Sequence, residues 1–368
     1  MIERTYLGLL FVLFAGCADA GGHVAKHESA DNLTRTAAAL PRLIVASKSG
    51  VRIWDDATNI GSDVPPSATL AGIDGQPNGV AVDGDTLLVT SSGASSAVHR
   101  FAGASTLADG ALPESTVPTS AFGGTLHADN TEVDGRGSLW IQSGLRIQVL
   151  PRNATAPRAS FTHPSANLEG MAYDEATDTL FSGQGEGEGL LAFGQASSRT
   201  GEVTRDYVVV PRTLWHLKIA GGRLFASSYS SPVRIWNDIS AVTGPKAPDL
   251  EIAGLCDEGG VHGEIRYLTV QNDTLVVLHQ AWINNALVEK ACIFRDAHAL
   301  TGLRAPDAVA RGLDSTVYYD KAQLTQDGHL FVRDETGIVV FKDATTAPVL
   351  VTRLTRGTTD AVDFEVLE

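Results

Sequence analysis

Positive charge is scarce in this chain: 28 Lys and Arg stand against 43 Asp and Glu among 368 residues, a formal net charge of −15. Nucleic-acid backbones are held by clustered Lys and Arg that neutralise phosphates, so that class of partner is excluded. The acidic balance reads first as a solvated surface. Cysteine is scarce too, with only Cys17, Cys256 and Cys292. Familiar catalytic signatures are missing: there is no Gly-x-Ser-x-Gly elbow, no His-Glu-x-x-His pair and no P-loop. The glycine run from Gly183 to Gly189 follows a strand but opens no helix, and Glu186 and Glu188 within it oppose anion binding. Long apolar runs are absent as well. The longest near the N-terminus, Tyr6 to Phe14, is too short to cross a bilayer as a helix. What the chain has instead is 43% hydrophobic residues and 37 glycines, the make-up of a large core built from short strands and tight turns.

The strongest pattern is internal repetition. Gly50-Val51-Arg52-Ile53-Trp54-Asp55-Asp56 returns as Pro232-Val233-Arg234-Ile235-Trp236-Asn237-Asp238, and diluted copies end in Phe101, Leu150, Phe193, Phe294 and Phe341. Before each copy lies a returning strand led by Leu43, Leu87, Leu139, Leu180, Leu224, Leu275 or Leu330, spaced 44, 52, 41, 44, 51 and 55 residues apart. That is the length of a four-stranded propeller blade, so the array predicts an all-β, seven-bladed β-propeller over residues 42–368. Polar pairs such as Gly221-Gly222 and Asn272-Asp273 supply the positive φ that two-residue hairpin turns need. The first unit starts at its second strand, and Ala361 to Val366 forms a strand that no eighth unit follows. Pairing the two closes the ring and removes two exposed sheet edges. The recurring Trp54, Phe101, Phe193, Trp236, Phe294 and Phe341 are expected to pack between neighbouring blades. Taken together, the Leu-Phe/Leu-Val strand, the Val-Arg-Ile-Trp-Asn/Asp strand and the outer segment resemble the NHL and YVTN propeller repeats. The resemblance implies a propeller with a binding or scaffold role and carries no activity with it.

Residues 1–16 read as a secretory signal, with Arg4 ahead of the apolar run. The run ends in Phe14-Ala15-Gly16-Cys17, which resembles the lipobox of bacterial lipoproteins and implies that Cys17 becomes the lipidated first residue. Residues 17–41 are small, polar and unpatterned, and read as a tether. The expected address is the bacterial cell envelope, at the outer membrane, with a monomer held by its lipid anchor. Cys256 and Cys292 then share an oxidising compartment. A disulfide and two separate buried thiols both fit their positions.

In a propeller the entry to each inner strand lies on the face where ligands collect. Counting back four from the last apolar residue of each inner strand gives Asn78, Asp129, Glu169, Trp215, Arg266, Asp320 and Asp360. One residue further on stand Asn130, His216, Tyr267 and Lys321. The first functional expectation is a scaffold or binding module that contacts an envelope protein or glycan through its loops 120–130, 254–266 and 279–290, with no cofactor. The alternative is a calcium-dependent hydrolase or lactonase. Asn78, Asp129, Glu169 and Asp320 would then be the hard oxygen ligands and His216 the base. Carboxylates converging on one rim repel, and a bound Ca²⁺ would relieve that repulsion.

Overall fold

The computed structural model describes residues 41–368 apart from 125, 127–129, 164–166, 185–188, 229–231, 258–261, 284–285 and 315–320. The signal segment, Cys17 and the tether lie outside the described residues. So do Asp129 and Asp320.

Seven sheets form the ring, each an antiparallel blade of four strands, one of which carries a fifth. Blade two is typical. Its inner strand Gln76–Asp83 pairs with Thr86–Ser92, then Ala97–Ala102, then the outer Ser115–Pro118. The inner strands of blades three to seven are Asn130–Val133, Leu168–Asp174, His216–Ala220, Glu264–Gln271 and Lys321–Leu324. Blade one takes its inner strand from the other end of the chain: Ala361–Leu367 pairs antiparallel with Arg42–Ser47. The expected closure is therefore present. Blade seven holds this strand from one side, where Gln323 Nε2 donates to Val366 O at 2.9 Å and Val366 N donates to Gln323 Oε1 at 2.8 Å. Blade two holds it from the other, where Val80 N donates to Asp363 Oδ2 at 2.8 Å.

Alternating strands must bury one face against each neighbour, and among the described residues one apolar cluster fills each seam between adjacent blades. The six motif aromatics lie in these seams, each at most 1% exposed. Trp54 Nε1 donates to Val64 O at 3.0 Å and Trp236 Nε1 to Lys246 O at 3.1 Å, ten residues on in both repeats. The turns follow the expected chemistry, with positive φ at Gly221, Gly222, Asn272 and Asp273.

Some features depart from the expected pattern. The strand Gly201–Thr204 adds to the edge of blade three, parallel to Ala159–Thr162, before the chain returns to blade four at Tyr207–Val210. Residues 279–290, expected as a loop, belong to a long hairpin: Thr274–Ile283 and Ala286–Phe294 stay paired out to Ile283 and Ala286. Apolar residues on both sides of Asn284-Asn285 let the ladder run further than in other blades. Of the two readings for the cysteines, the disulfide forms, joining Cys256 to Cys292 with Cα atoms 5.9 Å apart. Two buried arginines went unread in the sequence. Arg42 donates to the carbonyls of Ala104 and Leu107 in blade two, and Arg223 to those of Ala297 and Leu300 in blade six. Each opens a second strand with Arg-Leu and stitches its blade to the next.

Candidate functional site: the mouth of the central channel

A cavity of about 470 Å³ opens where the inner strands begin. Its lining includes Asn78, Asn130, Glu169, Trp215, His216, Lys218, Tyr267, Lys321 and Asp363, together with Gln142 and Arg333 from the ends of second strands. The size falls within the roughly 300–1,000 Å³ of small-molecule sites. Seven of the positions picked from the sequence, Asn78, Asn130, Glu169, Trp215, His216, Tyr267 and Lys321, therefore meet here.

Two candidates sit elsewhere, for identifiable reasons. Asp360 precedes its strand and accepts a hydrogen bond from Ser49 Oγ at 2.7 Å. Asp360 lies four before Phe364, but the strand's last apolar residue is Leu367, and four back from Leu367 is Asp363. Arg266 stands at a β-bulge, between Ile265 and Tyr267 in the pairing register, and Tyr267 takes its place in the lining. The register shifts in the same way at Asn78 in blade two and Gly170 in blade four. Bulges re-aim side chains, and here they recur at the cavity rim. Gly170 also allows close approach: a Cβ there would lie 2.2 Å from Trp215 O.

The charges are paired across the channel. Lys218 of blade five meets Glu132 of blade three. Lys321 of blade seven meets Asp363 at 2.8 Å and Glu365 at 3.5 Å, both on the C-terminal strand. Burial alone would pull either ammonium down, but the facing carboxylates more than reverse it, so both lysines are held protonated above their ordinary range. Glu365 moves up because burial outweighs the attraction of Lys321. Tyr267 is also raised by burial, against the pull of Lys218 and Lys321. His216 packs edge-on to Tyr267 with ring centroids 5.7 Å apart. Burial first, and then the charge of Arg266, pull its pKa down to about 3. The imidazole is thus neutral at pH 7 and a weak base, better suited to orienting a ligand than to taking its proton.

Four of these partners, Lys218, Glu132, Asp363 and Glu365, were not singled out in the sequence. Lys218 and Glu132 lie two residues inside the rim positions, on the same strand face as His216 and Asn130, and the period of two could have found them. Among the described residues no group of three or more His, Cys, Asp or Glu is arranged to hold a metal ion. Of the proposed calcium ligands, Asn78 and Glu169 are the described ones.

No protein-family model and no curated protein matches the chain. Solved structures do. A candidate 6-phosphogluconolactonase from Bacteroides uniformis superposes with a TM-score of 0.61 at 14% identity, over 89% of this chain and 100% of its own. The periplasmic gluconolactonase PpgL of Pseudomonas aeruginosa gives 0.62 at 14% identity, over 89% and 99%. The hydrazine synthase of Kuenenia stuttgartiensis gives 0.52 at 13% identity, over 74% and 78%. At these identities the likeness establishes a fold, and the fold this chain shares with them is the seven-bladed β-propeller.

Proposed function

We propose that the chain is an exported hydrolase that opens an uncharged sugar lactone at the mouth of the central channel. The observation that carries this reading is the cavity itself, where Glu169, two half-buried ammonium groups, a half-buried phenol and a neutral imidazole surround space for one small polyol. Two of the solved propellers of similar fold are named as lactonases, which favours this reading over a scaffold role. In the proposed step Glu169 takes a proton from water as the water attacks the lactone carbonyl. Negative charge developing on the carbonyl oxygen is stabilised by Lys218, Lys321 or the Tyr267 hydroxyl. The ring C–O bond then breaks, the ring oxygen takes up the proton, and a hydroxy acid leaves. Both lysines are already matched by carboxylates, and Arg333, the further cation of the lining, donates through Nη1 to Val362 O at 2.5 Å, which favours the uncharged lactone.

Proton release from glucono-δ-lactone, measured against its spontaneous hydrolysis, tests the reading. The wild-type chain should accelerate it and should prefer it to the 6-phospho form. Glu169→Gln should lower kcat by about 10²-fold or more, typical of losing a general base, with the melting temperature unchanged. Absence of acceleration for any sugar lactone overturns the reading. Calcium enters as an arm of the same assay: stabilisation by millimolar Ca²⁺ that Glu169→Gln with Asp320→Asn removes would assign the rim to a metal.

Export with a lipid anchor at Cys17 belongs to the same proposal. The Cys256–Cys292 disulfide supports an oxidising compartment. Among the described residues no helix is long and apolar enough to cross a membrane. The expected outcome is that the wild-type chain fractionates with membranes and Cys17→Ala releases it or blocks its processing. Wild-type protein recovered unmodified in the soluble envelope fraction would remove the anchor from the proposal.

A further inference from the structure

A second cavity, of about 320 Å³, lies in the seam between blades two and three. It sits at the far end of the inner strands from the channel mouth, since the Asp83 turn that lines it ends the strand whose start carries Asn78. Its floor is apolar, made by Leu88, Leu139 and Leu150, all buried. Into this seam projects Arg100, from the third strand of blade two, only 8% exposed.

The guanidinium has five N–H donors, and one of them is used, by Nη2 to Ala154 O at 2.8 Å. No carboxylate among the described residues pairs with it, whereas the buried Arg42 and Arg234 each meet one, Asp55 at 2.6 Å and Glu251 at 3.2 Å. Burial is the cause that pulls its pKa down, with no acid holding it up. A largely buried cation without a counter-ion is costly because its charge is desolvated, and a ligand carrying that counter-ion would relieve the cost. The acids on the rim do not serve. Asp83 is engaged by Arg152, whose Nε donates to it at 2.7 Å, and Asp85 accepts from Ser105 N at 2.8 Å. Arg152 lies across Gly137, where a Cβ would come within 2.1 Å of its Nε and 2.4 Å of Asp83 Oδ2. A side chain at 137 would therefore displace the pair that forms this wall of the cavity.

We infer that this seam cavity is a binding site for a small monocarboxylic acid with an apolar body, its carboxylate taken by Arg100 and its body by Leu88, Leu139 and Leu150. Guanidinium and carboxylate match in planar, two-bonded geometry. The two rim aspartates favour a monoanion over a phosphate dianion. The site is independent of the channel and of the lactonase reading.

Benzoate is the probe, with benzamide as its uncharged isostere and inorganic phosphate as the competing anion. Titration calorimetry on the purified chain should show saturable benzoate binding, no comparable binding of benzamide and weaker binding of phosphate. Arg100→Met, which keeps the bulk of the side chain, should weaken benzoate at least tenfold, while Glu169→Gln in the channel binds it as wild type does. Equal affinity in wild type and Arg100→Met, equal binding of benzamide, or a preference for phosphate would each overturn the site. Should Arg100→Met not fold, a crystal structure of the wild-type chain with benzoate decides: density against Arg100 supports the site, and benzoate elsewhere or absent overturns it.

Discussion

Deletion of Thr359–Glu368 will leave a chain that no longer unfolds as one cooperative unit. The segment supplies the inner strand of blade one, and without it Arg42–Ser47 loses its partner along the whole ladder. Two sheet edges become exposed together, and Phe364 and Val366 leave the seam they fill beside Phe331 and Val340. Neighbouring blades lose their ties as well, because Gln323 and Val80 bond to this strand from opposite sides. In a closed ring each blade is stabilised by two seams, so opening one frees its neighbours to unfold locally. A broad, low-temperature transition and rapid proteolysis are therefore expected. Phe364→Ala is the milder form of the same test. Truncation of a buried phenylalanine costs about 3–5 kcal/mol, which for a chain of this length lowers Tm by several degrees while the transition stays cooperative. A truncated chain that melts like the full one would show that the ring does not depend on its closing strand.

Loss of the Lys321 ammonium comes next in size. Lys321→Met leaves Asp363 and Glu365 facing each other in a half-buried setting with their shared counter-ion gone. Breaking one side of a fully buried pair costs about 3–5 kcal/mol, and here, with the two carboxylate side chains 13% and 29% exposed, the loss is smaller because water screens part of the remaining charge. Glu365, already raised by burial, can escape by taking a proton, so the cost falls mainly on Asp363. Lys321→Met with Asp363→Asn should therefore recover a good part of the loss. The pH dependence adds a readout. The folded pKa of Lys321 lies above its ordinary value of 10.5. Its contribution is fully present below that ordinary value and is lost as pH rises through the raised one. Wild type should lose stability over this alkaline range, and Lys321→Met should lose less of it. A variant as stable as wild type, with the same alkaline profile, would mean that the ion pair is screened by water in the channel.

These predictions rest on features that were unequally legible in the sequence. The repeat of Gly-Val-Arg-Ile-Trp-Asp with its leading Leu strands was enough for blade number, and the strand left over at Ala361 for closure, because each blade must bury both of its faces. The motif aromatics were legible for the same reason. The rim was legible only to within a residue or two. Bulges at Asn78, Gly170 and Arg266 shift the register locally, and the closing strand ends at Leu367, so Tyr267 and Asp363 line the cavity in place of Arg266 and Asp360.

The sequence by itself determined what depends on local pattern: an all-β chain, its seven units and the hairpin turns. Tertiary structure alone decided which charges meet. Lys218 and Glu132 are 86 residues apart, and Lys321 and Asp363 are 42 apart. Nothing in their spacing marks them as partners, because the ring brings together residues from different blades and the period of the repeat does not record which side chains face one another across the channel. The unpaired Arg100 was hidden for the same reason, since the missing carboxylate is a property of the seam and not of the strand.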